Sequence, residues 1–160
     1  MALANLSLLS PESFIRVVPQ LIAVVPALLA LATYRKNART KRAEWLSTLH
    51  AKFFESENYK RIRSILDYEQ PELAILRKLV SSGDYDELAE LLVDYLNFFE
   101  FIASLWKLGQ LDIEEVATLF EYYLTNLSAH DFIVDFLATY GFDNLKSLLA
   151  SLARHRRVVR

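Results

Sequence analysis

Several residue types are scarce or absent in this chain, and each absence excludes a class of protein. The 160 residues include no cysteine, which excludes disulfides, thiol catalysis and cysteine-ligated metals. Only three glycines and four prolines are present, so few positions force a helix to stop. No run of residues alternates apolar and polar side chains as a half-buried strand does. We therefore expect an all-α protein.

Signatures of catalysis are also missing. The histidines at 50, 130 and 155 are far apart, and none forms the E-x-x-H or H-x-x-x-H spacing of a metal pair on a helix. No glycine-rich loop is present to hold a nucleotide phosphate, and no G-x-S-x-G turn to present a serine nucleophile. We expect no catalytic residue, no metal site and no cofactor.

Charge is absent from residues 17–34, whose sequence is VVPQLIAVVPALLALATY. An uncharged apolar run that basic residues follow is typical of a transmembrane helix with its basic end in the cytoplasm. A helix over residues 14–34 would be about 31 Å long, close to the hydrocarbon thickness of a bilayer. The predicted span includes Phe14, Val17, Pro19, Leu21, Pro26, Leu31 and Tyr34. The juxtamembrane basic residues are Arg35, Lys36, Arg39, Lys41 and Arg42.

Two other interpretations of the same segment stay open. Ala30-Leu31-Ala32 has the small-x-small form of a signal-peptide cleavage site, but only Arg16 provides positive charge before the run. Pro19, Gln20 and Pro26 interrupt the apolar run, which also fits a core or interfacial helix, although membrane helices tolerate proline. The span interpretation predicts a single-pass protein of the inner (plasma) membrane, with the N-terminus outside and residues 35–160 in the cytoplasm.

Charge divides the remaining chain into three segments. Residues 35–63 carry nine Lys or Arg against three Glu, residues 64–153 carry four against sixteen Asp or Glu, and residues 154–160 carry four Arg. We expect the basic segments to lie against anionic lipid headgroups of the bilayer. The predicted domains are a tail and span over 1–34, a cytoplasmic helical domain over 35–153 and a basic tail over 154–160. Nucleic acid is not an expected partner, because the helical domain is acidic.

Capping pairs and glycines predict where the helices of this domain begin and end. The predicted starts are Asp84 with Glu87, Asp112 with Glu115, and Ser128 with Asp131, and the glycines are predicted stops. Apolar stripes with three- and four-residue spacing predict helices over residues 45–54, 59–66, 73–80, 88–106, 116–127, 132–140 and 145–152. We expect a compact multi-helix bundle whose first helix continues from the span without a break.

One carboxylate lies among aromatic residues. Glu100 is part of the sequence YLNFFEFI over residues 95–102, where a buried acid is normally paired. One hypothesis makes it a structural ion pair or a partly exposed acid that fixes how two helices pack. The other makes it a ligand contact or a switch partner of Lys60, Arg61 or Arg63. These four residues are the candidates for ligand binding or ion pairing.

Five short motifs follow the apolar run: RAEWL at 42–46, KFF at 52–54, YKRIR at 59–63, LNFFEFI at 96–102 with Gly109, and FEYYL at 120–124. In these motifs the sequence resembles a family of small bacterial membrane-anchored helical proteins of unknown function, labelled DUF4760-like. The resemblance implies an N-terminal anchor on a cytoplasmic helical domain and supplies no activity. It marks Arg42, Arg63 and Glu100 as family-like positions without assigned roles.

The main functional hypothesis is a non-enzymatic membrane protein that mediates protein–protein interaction or self-assembly at the cytoplasmic face. Its partner would be a second copy of the chain or an unidentified protein. The alternative hypothesis is a sensor or effector that acts through its membrane span. It would bind a small anionic, nucleotide-like ligand through Lys60, Arg61, Arg63 or the C-terminal arginines.

Overall fold

The structure, a computed structural model, describes the backbone of residues 11–68, 71–83 and 86–159, and the side chains of 26, 28–38, 40–68, 71–83 and 86–157. Regular structure in these ranges is entirely α-helical. The helices are α1 (Pro11–Glu55), α2 (Glu57–Asp67), α3 (Pro71–Ser82), α4 (Glu87–Lys107), α5 (Ile113–Ala129), α6 (Asp131–Thr139) and α7 (Asp143–Val159). This confirms the predicted all-α class and all seven predicted helices.

The chain divides into two units, Met1–Leu49 and His50–Arg160, and the boundary falls within α1. The described part of the first unit is α1 alone, which confirms that the first helix continues past residue 34. Within the part of the chain that the structure describes, no helix is long and apolar enough to cross a membrane. The side chains of four predicted span residues lie outside that part: Phe14, Val17, Pro19 and Leu21.

The second unit is a helical bundle with α4 at its centre. Helix α4 packs against α2, α3, α5 and α7, and α5 packs against α6 and α7. Residues of α4 at three- and four-residue spacing, among them Leu92, Leu96, Phe99 and Ile102, are fully buried. Burial of each such side chain contributes about 1.5–3 kcal/mol, so this helix supplies much of the core.

The predicted helix starts are confirmed at one position and wrong at two. Asp112 and Glu115 form a reciprocal capping box, in which each side chain accepts a hydrogen bond from the backbone N–H of the other residue, at 2.8 and 2.9 Å. Helix α4, however, is capped by Asp86, whose carboxylate accepts from the N–H groups of Leu88 and Ala89. The predicted cap residue Asp84 lies outside the described residues.

Ser128 does not open α6. It is the penultimate residue of α5, and its hydroxyl donates back to the carbonyls of Leu124 and Thr125, as serine does within a helix. Helix α6 instead begins after His130, whose side chain makes no capping hydrogen bond.

The predicted glycine stops are confirmed. Gly109 and Gly141 follow the ends of α4 and α6 with φ of 69° and 81°. Glycine adopts this left-handed conformation without the steric strain of a Cβ, which allows the chain to turn immediately after the helix.

Candidate functional site

Arg63 binds the end of α1. Its guanidinium donates to the carbonyls of Phe53 and Phe54, at 2.6 and 3.4 Å, which are two residues and one residue before the last residue of α1. The last carbonyls of a helix have no partner within the helix, and a cation there also interacts favourably with the helix dipole. The half-buried Arg63 on α2 therefore caps α1 and fixes the α1–α2 corner.

Aromatic rings surround the same guanidinium. Its central carbon lies 4.6 Å from the ring centroid of Phe53, 5.1 Å from that of Phe54 and 5.8 Å from that of Tyr123. Phe53 is fully buried and also contacts the rings of Tyr59, Tyr95, Phe98, Phe99 and Phe120. Burial raises the pKa of Tyr95, and the positive charge of Arg63 acts in the opposite direction. Arg63 is thus a structural cation of the aromatic core.

Glu100 binds the start of α7. Its two carboxylate oxygens accept from the backbone N–H groups of Asn144 and Leu145, at 3.3 and 2.8 Å, and from the Asn144 side chain at 2.7 Å. The first N–H groups of a helix lack partners within it, and an anion there is favourable. Asn144 in turn donates to Ser104 and accepts from Lys107, both on α4. Glu100 therefore ties α4 to α7, which agrees with the packing hypothesis.

None of the contacts that the structure describes for Lys60 and Arg61 involves Glu100. Lys60 pairs with Glu57 at 3.4 Å, and Arg61 pairs with Glu87 at 3.5 Å. Both cations are exposed, and they line a shallow depression of about 260 Å³ together with Glu57 and Glu72. An anionic ligand in this depression would meet two carboxylates as well as two cations. The structure does not bring the four candidate residues into one site.

A groove among the described residues is lined by side chains of α5 and α7. It has a volume of about 640 Å³ and is lined by Tyr122, Asn126, His155 and Arg156, among others. Arg156 pairs with Glu121 at 2.7 Å and donates to Thr125 at 3.2 Å, so its guanidinium is held against α5. Arg156 is one of the C-terminal arginines of the alternative ligand-binding hypothesis, whereas no sequence pattern indicated the other residues of this groove.

Asp67 lies beside this groove and was also missed. One of its carboxylate oxygens accepts from the Tyr122 hydroxyl at 3.0 Å and from the Asn126 amide at 2.7 Å. The partners are 55 and 59 residues away in the chain, so no local spacing could have revealed the contact. The hydrogen bond raises the pKa of Tyr122 above its ordinary value.

The first unit exposes both apolar and basic side chains. The described span residues Pro26, Leu31 and Tyr34 are exposed, as are Leu28 and Leu29. Four of the juxtamembrane basic residues are exposed too: Arg35, Lys36, Lys41 and Arg42. The fifth, Arg39, has its side chain outside the described residues. The described residues contain no group of three or more acidic or histidine side chains that could hold a metal ion.

Comparison with the curated proteins and with the solved structures finds no match. A family model described as a domain of unknown function, DUF4760, matches residues 20–133. The match covers more than half of the chain and includes Arg42, Arg63 and Glu100, the positions that the resemblance singled out. The chain therefore belongs to the DUF4760 family.

Proposed function

We propose that this protein is a non-enzymatic, membrane-anchored helical protein whose second unit mediates self-assembly or the binding of a protein partner. The anchor is a single span within residues 14–34 of α1, in an inner (plasma) membrane. The N-terminus lies outside, and the second unit lies in the cytoplasm.

The main support for a membrane anchor is that α1 exposes large apolar side chains on all of its sides. Leu28, Leu29 and Leu31 are 60%, 63% and 45% exposed, and Tyr34 is 71% exposed. Successive helix residues are rotated by about 100°, so these side chains are distributed around α1 and do not form one stripe. A surface helix of a globular protein has a single apolar stripe, whereas an apolar helix on all sides is buried in a core or a bilayer.

The backbone of the same segment suits a bilayer. The uncharged run of residues 17–34 lies entirely within α1, so its peptide groups are hydrogen-bonded within the helix. Basic residues follow the run, and the positive-inside rule then supports a cytoplasmic second unit. Each exposed basic side chain close to an anionic leaflet would add about 1 kcal/mol of attraction.

Membrane fractionation with protease protection tests the anchor and its orientation. The full chain, tagged at its C-terminus, is expressed in bacteria, and the membranes are extracted with carbonate. We expect the tag to resist extraction and to be digested only after the inner membrane is opened. A tag released by carbonate would refute the anchor, and a tag digested from the outer side of intact cells or spheroplasts would refute the orientation.

Crosslinking in intact membranes tests self-assembly. An amine-reactive reagent should convert the full chain into a dimer or a larger species, because exposed lysines such as Lys41 and Lys60 are available to it. If only monomer forms, and a pull-down under the same conditions recovers no specific protein, the proposed assembly role is wrong.

A further inference from the structure

Side chains of both charges line one pocket at the surface of the second unit. The pocket has a volume of about 490 Å³, and its lining includes Arg77 of α3 and both Asp131 and Asp135 of α6. All three side chains are exposed, and none makes a hydrogen bond or an ion pair among the described residues. A cation and two carboxylates therefore border the same space without pairing with each other.

The guanidinium of Arg77 has a defined position and free donors. Its central carbon lies 5.6 Å from the ring centroid of Phe132, which is buried and also lines the pocket. This cation–π contact holds the guanidinium at the pocket wall. Its N–H groups stay available, and their planar fork matches the two oxygens of a carboxylate. Arg77 is thus placed to bind a carboxylate.

The two acidic residues of the pocket, Asp131 and Asp135, lie one turn apart on the same face of α6. Like charges at this spacing repel each other and destabilise a helix. Within the part of the chain that the structure describes, no ion pair neutralises either carboxylate. An ammonium bound between them would relieve the repulsion, and its three N–H donors are enough for both carboxylates.

Apolar side chains form another part of the lining. Val80, Phe136 and Tyr140 line the pocket, and the ring centroids of Phe136 and Tyr140 are 4.4 Å apart. Tyr140 is 50% exposed, so its ring retains free surface. Pockets for small molecules have volumes of about 300–1,000 Å³ and combine apolar walls with a few polar groups. This pocket therefore suits a small molecule that carries an apolar group beside its charges.

We propose that the pocket lined by α3 and α6 binds a free α-amino acid with an apolar side chain. Arg77 binds the carboxylate of the amino acid, Asp131 and Asp135 bind its ammonium, and the apolar lining contacts its side chain. Charge complementarity selects a zwitterion, because a simple anion would meet two unpaired carboxylates and a simple cation would leave Arg77 unpaired. The proposal is independent of the anchor and of the assembly role.

Isothermal titration calorimetry of the full chain in detergent tests the proposal with L-leucine as the probe and protein-free micelles as the blank. Two analogues of L-leucine each lack one charge: 4-methylpentanoate lacks the ammonium, and 3-methylbutylamine lacks the carboxylate. We expect saturable binding of L-leucine and affinities at least about tenfold lower for both analogues. O-phosphoethanolamine carries the two charges of a lipid headgroup without an apolar side chain, and it should also bind at least about tenfold more weakly.

Variants of the pocket then assign each charge. Arg77→Gln should lower the affinity for L-leucine about tenfold or more and should not weaken the binding of 3-methylbutylamine, which has no carboxylate. Asp131→Asn and Asp135→Asn should lower the affinity for L-leucine and should not weaken the binding of 4-methylpentanoate. Retained binding of the analogue also shows that each variant is folded.

Two matched controls change the same charges outside the pocket. Lys78→Gln removes the exposed cation next to Arg77 on α3, and Asp94→Asn removes an exposed carboxylate of α4. Neither residue lines the pocket, so both variants should bind L-leucine within about twofold of the original affinity.

The proposal is wrong if none of L-leucine, L-valine and L-phenylalanine binds saturably. An analogue that binds as tightly as L-leucine would overturn it too, because one charge would then be enough. Tighter binding of O-phosphoethanolamine than of the amino acids would assign the pocket to a lipid headgroup instead. An L-leucine affinity that Arg77→Gln leaves unchanged would place the binding site elsewhere.

Discussion

Glu100 replaces a local N-cap at the start of α7. In most helices the residue just before the first turn accepts from the free N–H groups, but here a carboxylate from α4 accepts from Asn144 and Leu145. The bonds are charge-assisted and link α4 to α7 through residues that are 44 and 45 positions apart in the chain. A single side chain therefore contributes both to helix initiation and to the packing of α4 on α7.

We expect Glu100→Gln to lower the free energy of unfolding by about 1–2 kcal/mol. Glutamine has one acceptor oxygen, and its amide would point donors at the N–H groups that the second oxygen now binds. Chemical denaturation of the full chain, followed by the fluorescence of its two tryptophans, Trp45 and Trp106, measures the change.

The matched control is Glu90→Gln on the same helix. Glu90 is exposed and its side chain makes no hydrogen bond or ion pair among the described residues, so its replacement should change stability by less than about 0.5 kcal/mol. Equal effects of the two substitutions would show that Glu100 contributes only general charge to α4.

Tyr122 gives a prediction for alkaline pH. The hydrogen bond to Asp67, and then the charge of Asp67, raise the pKa of Tyr122 above its ordinary value of 10.0. Because the folded state favours neutral tyrosine, this contribution to stability is fully present below pH 10 and is lost as pH rises through the raised pKa. The stability difference between the wild type and Tyr122→Phe should therefore shrink above pH 10.

An NMR titration of labelled tyrosine rings measures this pKa directly. Asp67→Asn should move the pKa of Tyr122 down towards 10.0, since it removes the negative charge. Asp94→Asn is the control: after burial, Asp94 is the second cause of the raised pKa of Tyr59, so this variant should lower the pKa of Tyr59 and leave Tyr122 unchanged. An unaltered Tyr122 titration in Asp67→Asn would contradict the assignment.

At the scale of elements, the end of α1 depends on a residue of α2. Arg63→Gln should lower the free energy of unfolding by about 2–3 kcal/mol, because it removes charge-assisted bonds to two carbonyls and the contact with the Phe53 ring. Hydrogen exchange should accelerate over residues 50–55, the last part of α1, more than elsewhere in the second unit.

Arg63→Lys should recover less than half of this loss, since one ammonium cannot reproduce the planar fork that reaches both carbonyls. The matched control is Arg61→Gln, two residues earlier on α2, where an exposed pair with Glu87 is worth at most about 1 kcal/mol. A full recovery by lysine would assign the effect of Arg63 to its charge alone.

The helices could be predicted from the sequence because their signals are local. Apolar spacing, the Asp112–Glu115 capping box and the glycine stops each lie within a few residues of the feature that they predict. The two wrong predictions of helix starts also came from local signals. Asp86 is closer to the first turn of α4 than Asp84, and the Ser128 hydroxyl bonds back into α5. Spacing alone does not distinguish a capping serine from one inside a helix.

The candidate site could be predicted only in part. The setting of Glu100 among aromatics indicated a structural acid, but its partners lie on α7, beyond the reach of any spacing rule. Arg63 was grouped with Lys60 and Arg61 because the three are close in sequence. In the fold the Arg63 guanidinium binds the end of α1, and the other two side chains are exposed. The contact of Asp67 with Tyr122 required tertiary structure in the same way.

At the scale of the whole molecule, charge and apolar exposure are separated along the chain. The described part of the uncharged run exposes large apolar side chains, and the exposed basic residues follow it on the same helix. The sixteen acidic residues of segment 64–153 all belong to the second unit. A bilayer with anionic headgroups would accommodate the apolar side chains and attract the basic residues, and it would repel the acidic segment. For this reason the anchor and the assembly surface are proposed on different units.

Charge inserted into the apolar run should therefore release the protein from the membrane. The double substitution Leu28→Asp with Leu29→Asp places two carboxylates where each disfavours insertion by about 2.5–3.5 kcal/mol at the centre of a span, and by less towards its end. We expect most of the variant to appear in the carbonate-soluble fraction. The control, Ala43→Asp with Ser47→Asp, makes the same charge change at exposed positions of α1 beyond the run and should stay in the membrane. Equal partitioning of the two variants would show that the run does not anchor the chain.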